Sequence, residues 1–329
     1  MDSCKTPDKQ QSPVTGSTLI IKQQNVSSFF VSIISVKKYL FLVSFLLTTI
    51  LSIAQNEVAL FPVASPKGGI SQIIGTTKIE VEYERPLARK RVIFGNVVPW
   101  NQLWRTGAGA STKIKIDKAV VIEGQSVPPG NYSLFTIPNP ERWIVIINAD
   151  TTLYGTYGYD QSKDIARFVV NSRQTQRYYE ALTIDIDLVQ TNARLYLSWA
   201  NTQIDFDITT PTGAEAMQFI REQLFTGINT KSDAYSEAAQ FLLFERAHLS
   251  DALKLADKAI SLNKDNGGAR RVKMEIYEYL GLYKEAASEI TKALEMEKNK
   301  RYEKEADRAS EIKYWQNHQK RIETLTLVR

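Results

Sequence analysis

The chain is 329 residues long, 43% hydrophobic and 23% charged, with a formal net charge of +5. Such a composition excludes a chain that is disordered throughout, and the length makes room for two domains with full cores. Five of the 41 basic and two of the 36 acidic residues precede residue 55, which leaves 36 against 34, so the charge balance makes no case for a nucleic-acid partner.

Residues 1–54 read as a leader. Lys37 and Lys38 stand before the apolar run YLFLVSFLLTTILSI at 39–53, and the small residues Ser52 and Ala54 come before Gln55. That is the order of a secretory signal peptide cleaved after Ala54. A spanning helix takes about 20 apolar residues. This run is shorter and carries Ser44, Thr48 and Thr49, so cleavage is expected rather than an anchor, and the mature protein is expected in the periplasm or outside the cell with no stable membrane span. No cysteine follows the site to take a lipid. Residues 1–35 precede the positive region, which signal peptides rarely show, and true initiation is expected near Val36. Cys4, the one cysteine, lies in the leader, so the mature chain is expected to have no disulfide, thiol nucleophile or cysteine metal site.

Residues 55–212 carry a strand-like pattern. In TKIEVEYE (77–84), Ile79, Val81 and Tyr83 share one face and Glu80, Glu82 and Glu84 the other. TKIKIDK, AVVIEG, YSLFTIP, RWIVIIN, ARFVVN, ALTIDIDLV, ARLYLSWA and TQIDFDI follow, punctuated by turn clusters such as Val127-Pro128-Pro129-Gly130-Asn131. Nine short strands without helical periods predict an antiparallel, all-β sandwich or barrel, and alternation with polar outer faces favours the sandwich.

From residue 213 to 329 the period is helical. Leu249, Ala252, Lys258, Ala259, Ile260 and Leu262 recur at an offset of 34 as Tyr283, Ala286, Lys292, Ala293, Leu294 and Met296. That is the tetratricopeptide period, one helical hairpin per unit. Two units are expected, at 234–267 and 268–301, with a charged capping helix from about Tyr302. Two repeats are few for a free-standing array, so the helices are expected to lean on each other and on the β-domain, and to offer a surface to a protein or peptide partner.

The irregular segment at 85–112 is basic and aromatic, with Arg85, Arg89, Lys90, Arg91 and two tryptophans, and it includes Trp104-Arg105-Thr106-Gly107. A guanidinium beside an indole suits a carboxylate, a phosphate or a sugar; equally, Arg105 could pair with an acid beneath a packed tryptophan. The loop at 148–164 adds Asn148 and the tyrosines Tyr154, Tyr157 and Tyr159 around Gly155 and Gly158, a composition that makes rigid amphipathic surfaces or fills space under a sheet. Arg85, Arg91, Trp104, Arg105, Thr106, Asn148, Tyr154, Tyr157 and Tyr159 are therefore the expected ligand-binding residues.

The remaining chemistry is thin. His248 and His318 both lie in the helical half, so the β-domain can build neither a Ser-His-Asp triad nor a histidine zinc site. Gly107-Ala108-Gly109 lacks the third glycine and the βαβ setting of a dinucleotide fingerprint. Asp185 with Asp187, Asp205 with Asp207, and the three glutamates of 80–84 share strand faces, as solvated sheet faces do. Paired acids are also the one route to a glycosidase. Asn148, Asp150, Asp160 and Asp164 match no calcium-loop spacing. No cofactor and no metal are expected, and the balance points away from an enzyme.

The runs Tyr83-Glu84-Arg85-Pro86, Ile93-Phe94-Gly95, Val98-Pro99-Trp100, LWRTGA at 103–108 and PGNYSLFTIP at 129–138 resemble an exported bacterial domain family catalogued only as a domain of unknown function. Asn148, Gly155-Thr156-Tyr157 and Leu197-Ser198-Trp199 continue the resemblance, which spans about Ser65 to Ile208. It implies export, a compact domain often followed by tetratricopeptide-like helices, and no established activity. Where that family tends to have Ala-Asn-Glu-Ala-Thr, this chain has Ala108-Gly109-Ala110-Ser111-Thr112. Tyr154 stands where the family tends to have tryptophan, and Trp199-Ala200 where it often has Trp-Glu. The reading is an exported envelope protein that binds a ligand such as a glycan or serves as a scaffold. The alternative is a hydrolase working through carboxylates on envelope glycans or peptides.

Overall fold

Alternating residues with β-branched and aromatic side chains on one face need a second surface to bury them, and this chain supplies it by curling a single sheet. The computed structural model describes residues 61–327; the signal-peptide and initiation readings and Cys4 lie outside the described residues. Nine strands are present among the described residues: β1 Lys67–Ile74, β2 Thr77–Glu84, β3 Thr112–Ile116, β4 Val120–Ile122, β5 Gln125–Val127, β6 Gly130–Ile137, β7 Arg142–Asn148, β8 Asp164–Val189 and β9 Asn192–Thr209. They form one antiparallel sheet in the order β1-β2-β3-β6-β7-β8-β9-β4-β5. In β2, Ile79, Val81 and Tyr83 are buried and the three glutamates face outward, as the alternation predicts.

The nine strands are not the nine read from the sequence. ARFVVN and ALTIDIDLV are two ends of the 26-residue β8, and ARLYLSWA runs on into TQIDFDI as the 18-residue β9. The polar stretch between the two ends of β8 interrupts its ladder with β9 without ending the strand, with register shifts between Gln174 and Tyr179 and between Tyr179 and Thr183. β8 therefore pairs with β7 at one end and β9 at the other. β1 and β5 were not among the expected strands; β1 opens with Gly68-Gly69, which blurs its alternation.

The bend brings the far half of β8 against the chain that leaves β2. Tyr83 Oη accepts the Ile184 N–H at 2.8 Å, Leu87 bridges Ala181, and the Leu182 N–H donates to Pro86 O at 3.0 Å. Between these surfaces lies the apolar core, in which Trp143 and Trp199 are fully buried.

The last strand ends at Thr209 and the first helix starts at Thr212. Six α-helices follow among the described residues: α1 Thr212–Phe219, extended by a π-turn at Ile220–Leu224, then α2 Ser232–Phe244, α3 Leu249–Leu262, α4 Gly267–Tyr279, α5 Tyr283–Asn299 and α6 Glu305–Leu327. The offset repeat falls on α3 and α5, which begin at Leu249 and Tyr283. Ala252, Ala259, Ala286 and Ala293 are all fully buried where neighbouring helices approach. The residues Val63–Arg329 make one compact unit. The helices touch the sheet through polar groups: Thr212 Oγ1 accepts the Thr76 N–H at 2.9 Å, Lys118 pairs with Glu215 at 3.0 Å, and Gln190 Nε2 donates to Glu245 O at 3.0 Å. No described helix is long and apolar enough to cross a membrane.

Candidate functional site

The segment between β2 and β3 wraps an aromatic cluster. Phe94 meets Trp143 edge-on with centroids 4.8 Å apart, and Trp104 stacks on Trp199 at 5.9 Å. Trp104 is also stitched to β6 by two backbone hydrogen bonds with Thr136, at 2.7 and 2.9 Å, and its indole N–H donates to Gly107 O at 3.1 Å. The tryptophan is thus part of the core, and its neighbour Arg105 emerges beside it.

Thr106 fixes that emergence. It is fully buried at φ 59°, a left-handed conformation that a β-branched residue adopts only under constraint. Its hydroxyl lies 3.1 Å from that of Thr136, and its carbonyl accepts the Thr112 hydroxyl at 2.6 Å. Three more non-glycine residues in this segment, Arg89, Lys90 and Asn101, share the positive φ.

Arg105 lines a cavity of about 400 Å³ with Arg89, Arg91, Trp104, Thr156 and an apolar wall that includes Leu87 and Val98. Among the described residues no aspartate or glutamate lines it. Arg105 Nε is buried with no hydrogen-bond partner, and of its two readings the pairing with an acid is not seen among the described residues. The loop after β7 closes over the guanidinium: a Cβ on Gly155, at φ 68°, would lie 3.3 Å from Arg105 Nη1. That loop is tied to the turn before β3 by the Gly155 N–H donating to Gly109 O at 2.8 Å. Gly109 has φ 55°, a region that glycine and asparagine occupy most readily. Gly109 in place of the asparagine of the resembling family therefore keeps a turn.

The other expected residues divide by position. Arg91 is on the cavity wall. Arg85 is not: its guanidinium donates to Leu182 O at 3.0 Å and Thr183 Oγ1 at 3.1 Å and holds the β2 exit against β8. Asn148, fully buried, donates to Asp160 O and Asp164 Oδ1 and accepts the Asp150 N–H, which clamps the ends of the loop. Tyr159 donates to the Asp164 carboxylate at 2.8 Å and packs edge-on against Phe135; burial, then the Asp164 charge, push its hydroxyl up to about 12. Tyr154 and Tyr157 are 75% and 92% exposed at the loop's tip.

The carboxylates of the loop are engaged locally. Asp150 accepts from Thr152 and pairs with Lys163 at 2.8 Å, and Lys163 and Thr152 hold its carboxyl well below the usual range. Asp160 caps Ser162. Among the described residues no group of three His, Cys, Asp or Glu side chains converges to hold a metal ion. On the outer sheet faces, Glu80 pairs with Lys78 and Lys115, and Asp205 and Asp207 with arginines.

One cluster escaped the sequence reading. Lys113 sits opposite Ser133 in the β3–β6 register, and its Nζ donates to Ser111 Oγ at 2.5 Å and Ser133 Oγ at 3.2 Å. Burial pushes its ammonium down. Both hydroxyls are buried, and Ser133 donates onward to Asp150 O at 2.6 Å, so the cluster anchors the loop instead of presenting a nucleophile.

Residues 65–208 match the model of a family described as a protein of unknown function, DUF2911. The DUF2911 match starts just before β1 and ends one residue short of the end of β9, so it takes in the whole sheet and the Arg105 cavity and leaves the helices outside. No curated protein matches the chain.

Proposed function

We propose that the chain is an exported cell-envelope protein in which a β-sandwich, residues 55–212, binds a small ligand in the Arg105 cavity. In this reading residues 213–329 are a tetratricopeptide-like module with a capping helix that meets a protein partner. The observation that carries the binding role is the uncompensated charge: three arginines around about 400 Å³, no acid in the lining, and the Arg105 guanidinium without a hydrogen bond among the described residues. A buried donor without an acceptor costs about 1–3 kcal/mol, and a bound acceptor removes that cost. The size falls in the range of small-molecule sites. The repeat at 34 residues and the buried alanines of α3 and α5 support the helical assignment. Lys37, Lys38 and the run at 39–53 support export.

A thermal-shift screen of the full chain against peptidoglycan fragments, oligosaccharides, short peptides and divalent metals, with Arg105→Ala in parallel, tests the site. A ligand that binds the folded state raises Tm, and the shift is expected to vanish in the variant. A ligand whose shift survives Arg105→Ala would move the site elsewhere. For export, the protein recovered from a periplasmic or extracellular fraction is expected to begin at Gln55; recovery in the cytoplasm with residues 37–54 intact would refute it.

A further inference from the structure

We infer that the Arg105 cavity takes a carboxylate carried on a short apolar body, an inference that rests on the binding role proposed above. The three arginines are not equivalent. Arg89 gives one amino group to Ala64 O at 3.1 Å, and Arg91 commits Nε and one amino group to Ala88 O and Leu87 O at 3.0 and 2.7 Å. These two are held by backbone carbonyls and supply positive potential. Arg105 makes no side-chain hydrogen bond or ion pair among the described residues, and its Nε is shut in behind it, so of the three it is the one that spends no donor on the protein and keeps both Nη groups as a fork. A planar fork matches an acceptor with two coplanar oxygens. A carboxylate asks for one such fork and carries a single charge, and Arg89 and Arg91 add positive potential beside it.

Much of the remaining lining is apolar: Pro86, Leu87, Val97, Val98, Pro99 and Leu103 border the cavity beside the arginines. A ligand with its charge at one end and hydrocarbon behind it satisfies both kinds of lining, whereas a sugar would leave the apolar residues against hydroxyls. The fork is also held in place. Thr106 is locked at φ 59° by the Thr136 and Thr112 hydroxyls, and Gly155 lies over Nη1. Backbone strain of this kind concentrates where a side chain must be held for a ligand.

Two sources carry this chemistry, a short fatty acid and the C-terminal end of a peptide. Isothermal titration of the full chain with octanoate and with N-acetyl-leucine, each beside its primary amide, separates them. At least one acid is expected to bind ten-fold or more tightly than its amide. Arg105→Met should reduce that acid to the amide's level, and Arg105→Lys should restore it only in part, because an ammonium has no fork. Ala108→Leu, which fills the cavity and leaves every charge in place, should weaken the acid by a similar factor and guards against a folding defect in the arginine variants. Arg105-dependent binding of either acid supports the inference and names its source. Equal binding of acid and amide, or acid binding unchanged in Arg105→Met, overturns the carboxylate while leaving the cavity a site. If neither acid binds, the carboxylate falls; if the wider ligand screen is also blank, the binding role falls with it.

Discussion

Two arginines twenty positions apart show how little residue type says about role. Arg85 and Arg105 both follow an aromatic or acidic neighbour in the basic segment, yet Arg85 is spent on Leu182 O and Thr183 Oγ1 and Arg105, among the described residues, on nothing. Arg85→Ala is expected to cost about 1–3 kcal/mol, because it leaves a part-buried carbonyl without its donor. Arg105→Met should leave stability unchanged or raised. Urea unfolding of the two variants side by side checks this, and a larger loss in Arg105→Met would show that the guanidinium is structural. The Tyr159 hydroxyl, pushed up to about 12 by burial and Asp164, gives a pH signature. A tyrosine raised from 10 to about 12 on folding stabilises fully below pH 10, and that share is lost as the pH rises through 12. Tyr159→Phe is therefore expected to lose less stability between pH 10 and 12 than the parent, though starting lower. Parallel alkaline profiles would remove Tyr159 from the account.

At the level of elements, a buried charge network distinguishes the helical half. Glu289 in α5 is almost fully buried and faces Lys273 of α4 at 3.1 Å and Lys292 at 2.8 Å. Burial pushes its carboxyl up, but Lys292 and Lys273 outweigh this and bring it below the ordinary value. Glu289→Ala leaves the buried Lys273 with Asp257 alone, at 2.7 Å, and takes away the acid that Arg270 also faces, and should cost about 1.5–3 kcal/mol. Removing the exposed Glu295, which pairs with Lys298, should cost no more than about 1 kcal/mol. Chemical denaturation of both variants reads the difference, and similar losses would mean that the α4–α5 contact is solvated.

The sequence made elements legible where one face was wet and the other dry, as in β2 and in the alanine repeat of α3 and α5. It hid β1 behind two glycines, and it hid the continuity of β8 because a bent polar strand has the composition of a turn. The cavity was half legible. Trp104-Arg105 stood out, but Arg89 joined it only through the fold of the loop. Asn148 and Tyr159 proved to be loop anchors, because neighbours in space, Asp160 and Asp164, decide what their polar atoms do. Nothing in the order of residues announces that Lys113 and Ser133 are cross-strand partners.

Over the whole molecule, the apolar residues fall into separate groups. The sheet buries one cluster; α1 to α4 bury a second around Tyr235 and Leu255, and α4 to α6 a third around Trp315. What joins sheet to helices among the described residues is mostly polar: the Thr76–Thr212 contact, in which Thr212 is buried, and the exposed Lys118–Glu215 pair and Gln190. Exposed pairs contribute about 0–1 kcal/mol each. Sheet and helices are thus expected to melt as two calorimetric transitions, and a single peak whose calorimetric and van't Hoff enthalpies agree would show coupling that these contacts do not supply.

The bend in β8 has a practical consequence. Before it the strand is paired with β7 and, through Ser172–Gln174, with β9; beyond it the strand is paired with β9 alone, and the register shift between Gln174 and Tyr179 absorbs the mismatch where side chains are mostly exposed. An extra residue at 175–178 would lengthen the bulge without sliding either ladder, so this short stretch is where the sheet can accept an inserted tag or fluorophore and leave the arginine cavity undisturbed.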